Sequence, residues 1–218
     1  MTFQTMLSTM GGGMLRTIGI FCLTLVGSIP LGVIVMLLRQ SKLKVLSWIT
    51  KAFIAIIRGT PLMLQLLIWY FGPFYLFGIS IRGWRFPALI VGFVVNYACY
   101  FAEIYRGGIE SMPIGQYEAA EVLGYSKAQT FFKIILPQVF KRILPSITNE
   151  VITLVKDTAL VTAIGVTEIL YFTKSAVNRM VDASAYIVAA LFYLVLNFAV
   201  TKFFDWMEKR SNYIDMAR

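Results

Sequence analysis

Long apolar stretches separated by short polar segments dominate the sequence. A membrane-spanning helix needs about 20 mostly apolar residues, and four stretches meet this requirement. They cover residues 14–38, 52–77, 86–104 and 186–204. A fifth stretch, residues 143–164, is less apolar because it contains Glu150, Lys156 and Asp157. The pattern therefore predicts an all-α protein with five transmembrane helices, the fourth of which carries charge.

The distribution of Lys and Arg supports counting the fifth stretch. If residues 143–164 are the fourth of five spans, the segments that follow the first, third and fifth spans are rich in Lys and Arg. The second connection holds only Arg82 and Arg85, and the fourth only Lys174 and Arg179. Cytoplasmic loops carry an excess of these residues. The pattern predicts that the N-terminus is outside and the C-terminus is cytoplasmic. Four spans with a re-entrant fifth stretch remain an alternative.

Composition excludes the other broad classes of protein. Of 218 residues, 58% are hydrophobic and 14% are charged, and the mean hydropathy is +0.74. A soluble domain has about 45–50% apolar and about 25% charged residues, so a soluble enzyme, a fibrous protein and a disordered chain do not fit. No polar stretch is long enough for a second domain, and we expect one membrane domain over residues 1–218. The net charge of +9 lies in short clusters between spans, which indicates lipid contact rather than nucleic acid binding.

The residues needed for common catalytic and metal sites are missing. The sequence has no His, and Cys22 and Cys99 each lie inside an apolar stretch, so neither a zinc site nor a catalytic triad is available. The chain also lacks the GxxxxGK[ST] segment that cradles nucleotide phosphates. We expect no catalytic residue, no metal and no cofactor bound by this chain.

Small residues and prolines mark special positions in the first two spans. Ser28 and Gly32 form a small-xxx-small pair that suits close helix packing. Pro30, Pro61 and Pro73 are expected to interrupt the spans, which is tolerated where protein or a water-filled cavity satisfies the freed backbone groups.

The connection between the third and fourth spans is longer than a simple connector needs. Residues 116–123 are strong helix formers, and Gly124 follows at a helix C-cap position. A second helical stretch with an apolar face follows, and Pro137 is expected to end it. This helix–glycine turn–helix over residues 115–137 is suited to docking on a partner.

The same residues resemble the signature loop of bacterial ABC importer permeases. That loop has Glu-Ala-Ala, three residues, Gly, nine residues and Ile-x-Leu-Pro, which Glu118 to Pro137 match without a gap. Three other segments resemble the polar amino acid branch, the histidine, glutamine and arginine permeases. They are Arg58-Gly-Thr-Pro-Leu62, Glu103-Ile-Tyr-Arg-Gly-Gly-Ile109 and Leu154-Val-Lys-Asp-Thr158.

The resemblance implies a multi-pass subunit of a bacterial plasma membrane importer. Its partners would be a pair of ATPase subunits that bind ATP and Mg, a second permease subunit (identical or a close paralogue) and an external solute-binding protein. Residues 116–123 are similar to the coupling helix that enters a cleft in the ATPase. The residues implied in this coupling are Glu118, Ala119, Ala120, Glu121 and Gly124.

Charged residues inside the fourth span are candidates for substrate binding, because ionisable groups are costly in a membrane. Glu150, Thr153 and Asp157 have i, i+3, i+7 spacing and share one helix face, which suits an ammonium or guanidinium group. Asn149 lies next to them, and Lys156 is available for a carboxylate. The alternative is that Lys156 only neutralises Asp157 or Glu103 in a buried pair.

Other polar residues fit gating or scaffolding better than ligand binding. This group consists of Arg58, Thr60, Pro61, Glu103 and Arg106. The aromatic run over residues 69–75 fits an interfacial belt, with an outer gate as the alternative.

Four functions are compatible with a membrane protein of this kind to different degrees. The preferred one is the permease subunit of an ABC importer for a polar amino acid, with a cationic one favoured. The alternatives are a permease of the same superfamily for another small solute, and an ATP-independent secondary carrier. An intramembrane enzyme fits worst because the sequence has no recognisable catalytic motif.

Overall fold

The computed structural model describes residues 3–216, and the side chains of residues 3–210. Its regular structure in this part of the chain consists of helices. The α-helices are α1 (Phe3–Arg39), α2 (Lys44–Gly59), α3 (Leu62–Phe77), α4 (Arg85–Glu110), α5 (Ile114–Val122), α6 (Lys127–Gln129), α7 (Leu136–Asp157), α8 (Ile169–Met180) and α9 (Ser184–Met216). A π-helical segment (Thr130–Ile135) joins α6 to α7, and a 3-10 segment (Thr158–Ile164) follows α7.

Three to five of these units are candidate membrane spans. The long, apolar helices α1, α4 and the Ser184–Arg210 part of α9 each qualify alone. Two further units qualify only as bent pairs, with α2 and α3 at 110° and the helical run Lys127–Ile164 at 59° to α8. The prediction of an all-helical membrane protein is confirmed. The connection predicted between the last two spans is itself mostly helix α8.

The structure corrects the expected interruptions in the first two spans. The predicted span 52–77 is not one helix, because Thr60 is extended (φ −117°, ψ 147°) and α2 ends before it. A residue that precedes proline disfavours the helical region, which explains the break before Pro61. Pro30 and Pro73, by contrast, lie inside the continuous helices α1 and α3. An internal proline removes only one intrahelical hydrogen bond, and packing in a membrane bundle tolerates this loss.

The predicted helix and glycine turn of the third connection are confirmed. Gly124 has φ +78°, and its N–H donates to the carbonyl of Glu121 while the N–H of Tyr125 donates to Ala120. These two bonds form a Schellman C-cap, which favours glycine. The expectation that Pro137 ends the second helix is wrong. Pro137 directly follows the π-helical segment and lies in the first turn of α7, inside the continuous helical run Lys127–Ile164.

Helix α4 is the centre of the packing. Phe93, Tyr97 and Phe101 on α4 are almost fully buried and belong to the main hydrophobic core, which also includes Leu66 of α3 and Leu154 of α7. The i, i+4 spacing of these aromatic residues puts them on one face of the helix. Helix α4 therefore holds the bent pair α2–α3 and the charged helix α7 against one scaffold.

The predicted close packing at Ser28 and Gly32 is confirmed. Both residues are buried in the contact of α1 with α4. A β-carbon at Gly32 would lie 2.9 Å from Cβ of Phe101 and 3.2 Å from the carbonyl oxygen of Ala98. Neither atom belongs to a flexible side-chain end, so a larger residue at position 32 must push the two helices apart.

We therefore expect Gly32→Ala to destabilise the protein by about 1–3 kcal/mol, the usual cost of overpacking a tight core. Thermal unfolding of the purified protein in nanodiscs measures this. Gly19→Ala is the matched control on the same helix, because a β-carbon there meets nothing within 4 Å. That change should be neutral or stabilising by up to about 1 kcal/mol from helix propensity. Equal midpoints for the two variants would contradict the tight α1–α4 contact.

Candidate functional site

The break between α2 and α3 is closed by a buried glutamine. The side-chain amide of Gln65 donates to the carbonyl of Ile57 (2.7 Å) and to the carbonyl and hydroxyl oxygens of Thr60 (3.1 and 2.8 Å). Its oxygen accepts from the Asn96 amide at 2.9 Å. Gln65 is only 5% exposed. The carbonyls of Ile57 and Thr60 at the break are thus bonded by a protein side chain, and α3 is tied to α4.

Arg58, in the last turn of α2, points toward α4. Its guanidinium lies 4.9 Å from the centre of the Tyr100 ring, in cation–π geometry. It is also near enough to Glu150 of α7 for an attractive Coulomb interaction. Of the residues expected to act as gate or scaffold, Arg58, Thr60 and Pro61 therefore meet at the bend.

The acidic stripe of the fourth predicted span lies on α7. Its last residue, Asp157, accepts a hydrogen bond from the Tyr97 hydroxyl at 2.7 Å. Glu150 and Asp157 are half-buried and interact electrostatically with each other. The two acids, Tyr97 and Arg58 thus form one polar group between α2, α4 and α7.

The other predicted substrate residues are placed less centrally. Asn149, Thr153 and Lys156 are exposed. The Thr153 hydroxyl donates to the carbonyl of Asn149 at 2.9 Å, within its own helix. Lys156 acts on Asp157 through an attractive Coulomb interaction, whereas the predicted alternative pair with Glu103 is not formed, since arginines occupy that acid.

Glu103 is held between two arginines. Arg39, the last residue of α1, contacts it through Nε at 2.6 Å, and Arg106 contacts its other oxygen through Nη2 at 2.8 Å. Arg106 also pairs with Glu110. The predicted ion pair of Glu103 and Arg106 is therefore present. The partner from α1 was not foreseen, because Arg39 lies 64 positions away in the sequence.

Helix α5 presents two different faces. Glu118, Ala119 and Glu121 are exposed, but Ala120 is only 1% exposed and turns into the protein. On the inner side, the amides of Gln116 and Gln138 bond reciprocally at 2.9 and 2.6 Å. These bonds fasten α5 to the beginning of α7. Of the five predicted coupling residues, Ala120 thus packs inside the chain and Gly124 forms the turn.

A polar cavity of about 700 Å³ opens beside the aromatic run at the end of α3. Tyr70, Arg82 and Arg85 line it. The Arg85 guanidinium lies 5.7 Å from the Tyr70 ring centre and donates to the Gly165 carbonyl at 3.2 Å. Trp84 donates its indole N–H to the carbonyl of Trp69 at 2.9 Å. Tyr70 is buried, so at least this residue of the aromatic run 69–75 packs inside the protein and not at the membrane interface.

One buried acid, Glu168, was not predicted from the sequence. It is fully buried and accepts from the backbone N–H of Tyr171 (3.0 Å) and the hydroxyls of Tyr193 (3.0 Å) and Thr17 (3.4 Å). It caps α8 and ties it to α1 and α9. The available signal was an acidic residue immediately before an apolar helical run, a typical N-cap position.

The arrangement of polar groups suits binding rather than bond chemistry. Acidic oxygens, a guanidinium and tyrosine rings face one region between three helices. Among the side chains of residues 3–210, no group of three or more acidic or cysteine residues is placed to hold a metal ion.

Comparison with known proteins decides the family. The profile described as "Binding-protein-dependent transport system inner membrane component" matches residues 28–213. The chain belongs to this family. It is 34% identical over 210 residues to the L-cystine transport system permease protein TcyB of Bacillus subtilis (strain 168), covering 95% of this chain and 88% of that protein. It is 36% identical over 192 residues to the arginine transport system permease protein ArtQ of the same organism, covering 87% and 86%.

A solved structure agrees with this assignment. The crystal structure of an amino acid ABC transporter with histidines matches with a TM-score of 0.86 at 30% identity, covering 96% of this chain and 99% of that one. This permease is therefore a multi-pass inner membrane component and not the catalytic subunit of its transporter. Membership in the family implies an ATPase and a solute-binding protein as partners.

We expect Gln65→Leu to destabilise the permease by about 1–3 kcal/mol, because it leaves buried carbonyls and Asn96 without their partner. The thermal unfolding midpoint in nanodiscs measures the effect. Gln40→Leu, at an exposed position after α1, is the control and should leave the midpoint nearly unchanged. An unchanged midpoint for Gln65→Leu would show that the bend does not depend on this network.

Proposed function

We propose that this permease moves a polar amino acid, preferentially a cationic one, from an external solute-binding protein across the membrane at the expense of ATP hydrolysed by a separate ATPase. The single observation that carries the proposal is the polar group formed by Glu150, Asp157, Tyr97 and Arg58 between α2, α4 and α7. The names of the relatives support the substrate class, since they refer to cystine, arginine and glutamine.

The charges of this group complement those of an amino acid. In the proposal, Arg58 receives the carboxylate, a role for which the sequence had favoured Lys156. Glu150 and Asp157 receive the ammonium or guanidinium group. The side-chain oxygens of Asn149 and Thr153 lie on the exposed side of the same helix and contact the polar part of the solute. An arginine–carboxylate contact is bidentate and orients the ligand.

The orientation and span count are part of the proposal. Each bent pair forms one broken span, which gives five, and residues 1–218 form a single membrane domain. The N-terminus is outside and the C-terminus cytoplasmic. In support, the α5–α7 connection carries Lys127 and Lys133, the first two turns of α7 add Lys141 and Arg142, and cytoplasmic segments are rich in such residues.

We infer that α5 docks in a cleft of the ATPase through its exposed residues Glu118, Ala119 and Glu121. Ala120 and Gly124 support this docking from within, by close packing and by the Schellman turn. Two ATPase subunits that close on each other need two such helices, and the permease therefore works as a pair, as a homodimer or with a close paralogue. ATP and Mg bind to the ATPase and not to this chain.

ATP-dependent uptake tests the proposed function. The permease is reconstituted with the ATPase and solute-binding protein encoded beside it and offered radiolabelled arginine, lysine, histidine, glutamine and cystine, with and without ATP. We expect uptake of the cationic amino acids only with ATP. Glu150→Gln should lower their uptake at least about tenfold, since a charge-assisted contact is worth about 1.5–3 kcal/mol.

The outcomes of this assay separate the alternatives. Uptake without ATP would identify a secondary carrier and overturn the proposal. ATP-dependent uptake of neutral amino acids alone would overturn the cationic preference. Glu208→Gln, the same change on α9 and outside the polar group, is the matched control and should leave uptake unchanged. Unchanged uptake by Glu150→Gln would leave this acid with a packing role only.

The docking role of α5 predicts that Glu118→Lys uncouples the permease from the ATPase while the permease still folds and inserts. The exposed position of Glu118 makes a folding defect unexpected. Co-purification with the ATPase and stimulation of its ATP hydrolysis are the measurements. Glu208→Lys, the same charge change on α9, should leave both unchanged. Normal association of Glu118→Lys with the ATPase would contradict the docking assignment.

A further inference from the structure

A large apolar groove lies on the molecule apart from the residues of the polar group. It has a volume of about 1040 Å³ and runs between α1, α7 and α9. Every side chain that lines it is aliphatic, aromatic or methionine, including Phe21, Phe140, Ala199 and Phe204. Among the described residues that line it, only Tyr105 carries a polar side-chain group, and its hydroxyl donates to the Ile29 carbonyl at 3.4 Å. The groove therefore suits a hydrocarbon ligand.

Exposed lysines lie close in sequence to the residues at one end of the groove. Phe132 of the π-helical segment and Met207 of α9 line this end, and the exposed residues Lys133 and Lys209 lie within two positions of them. From residue 122 to residue 149 the chain contains four basic residues and no acidic one. The acids near the end of α9 are Asp205, which pairs with Lys202 at 3.9 Å, and the half-buried Glu208. The groove thus combines a long apolar channel with a cationic rim.

We propose that this groove binds an anionic phospholipid, with an acyl chain along α1, α7 and α9 and the headgroup at Lys133 and Lys209. The chemistry of the site matches both parts of such a lipid. Basic pockets between membrane helices are suited to anionic headgroups, whereas a zwitterionic lipid gains less from the same rim. The volume slightly exceeds the range of about 300–1,000 Å³ of pockets for drug-sized molecules, which suits a flexible chain.

Charge argues against a second copy of the permease as the occupant. A twofold interface brings the same patch of both copies together. The basic rims would then face each other without an acidic counterpart in the 122–149 segment. Helix α9 offers a surface for such a lipid, because only 6% of its spanning window is buried within the chain, against 61% for α4.

The lipid retained by the intact complex tests this inference. The permease is purified together with its ATPase from nanodiscs of equal amounts of phosphatidylcholine and phosphatidylglycerol, and the lipids that remain bound after detergent extraction are counted by mass spectrometry. We expect phosphatidylglycerol to be enriched at least fivefold over phosphatidylcholine, since each basic residue near an anionic surface contributes a factor of about five in affinity.

Two pairs of matched variants assign the lipid to the groove. The double change Lys133→Gln and Lys209→Gln should abolish the enrichment, whereas Lys44→Gln with Lys51→Gln, at exposed positions of α2, should keep it. Ala199→Trp fills the groove and should remove the retained lipid. Ala190→Trp, exposed on the same helix but outside the groove, should not.

Several results would overturn the proposal. Equal retention of the two lipids by the unchanged protein would mean that only a non-selective lipid annulus is present. Enrichment that persists in Lys133→Gln with Lys209→Gln, or in Ala199→Trp, would place the lipid elsewhere. A cross-linking test uses Ala199→Cys in a Cys22→Ser background with a short bifunctional maleimide. Covalent permease dimers would show that a second copy covers the groove. The readout is bound lipid, so it is independent of whether the uptake experiment succeeds.

Discussion

The bend between α2 and α3 depends on one requirement, that no backbone carbonyl be left without a hydrogen bond in an apolar environment. Each such group costs several kcal/mol in lipid. Gln65 meets the requirement by donating to the carbonyls of Ile57 and Thr60 while its own oxygen is bonded by Asn96. These hydrogen bonds lower the free-energy cost of the 110° bend. The bend brings Arg58 to Tyr100 and toward Glu150. The polar group between three helices therefore depends on the hydrogen bonds that Gln65 makes at the break.

The acids of this permease differ in how fully their oxygens are satisfied. Glu103 has arginines on both oxygens, and Glu168 has a backbone N–H and two hydroxyls. Glu103 is paired with arginines of two helices, and removal of one partner of a buried ion pair is strongly destabilising. Glu168 is held by hydrogen bonds from neutral groups of three helices. Glu150 and Asp157 are less completely engaged and stay half-buried. The first two acids therefore fit structural roles, and the second two retain the capacity to meet a charged ligand.

Much of the helical pattern was predictable, because the apolar stretches and the Gly124 turn are local features. The stripe of Glu150 and Asp157 followed from helical spacing alone. Three features were not predictable, for a common reason. They are three contacts between residues at least 30 positions apart: the ion pair of Arg39 with Glu103, the hydrogen bond from Asn96 to Gln65, and the hydrogen bond from Tyr97 to Asp157. Periodicity reports which face a residue occupies and not which helix that face meets. The prediction about the prolines failed for a different reason. Pro61 follows the end of a helix and Pro30 lies inside one, and the local sequence does not distinguish the two positions.

Helix α7 connects the two ends of the proposed mechanism. Gln138, in its first turn, is bonded to Gln116 of α5, and Glu150 and Asp157 lie in its last three turns. From Gln138 to Glu150 the helix rises about 18 Å at 1.5 Å per residue. Interfaces of packed helices shift between discrete arrangements more readily than single helices stretch. A force on α5 that α7 transmits as a unit would therefore displace the acidic residues relative to Tyr97 and Arg58, which belong to other helices. Because the Tyr97–Asp157 hydrogen bond spans that junction, it is the contact that such a displacement must break or re-form.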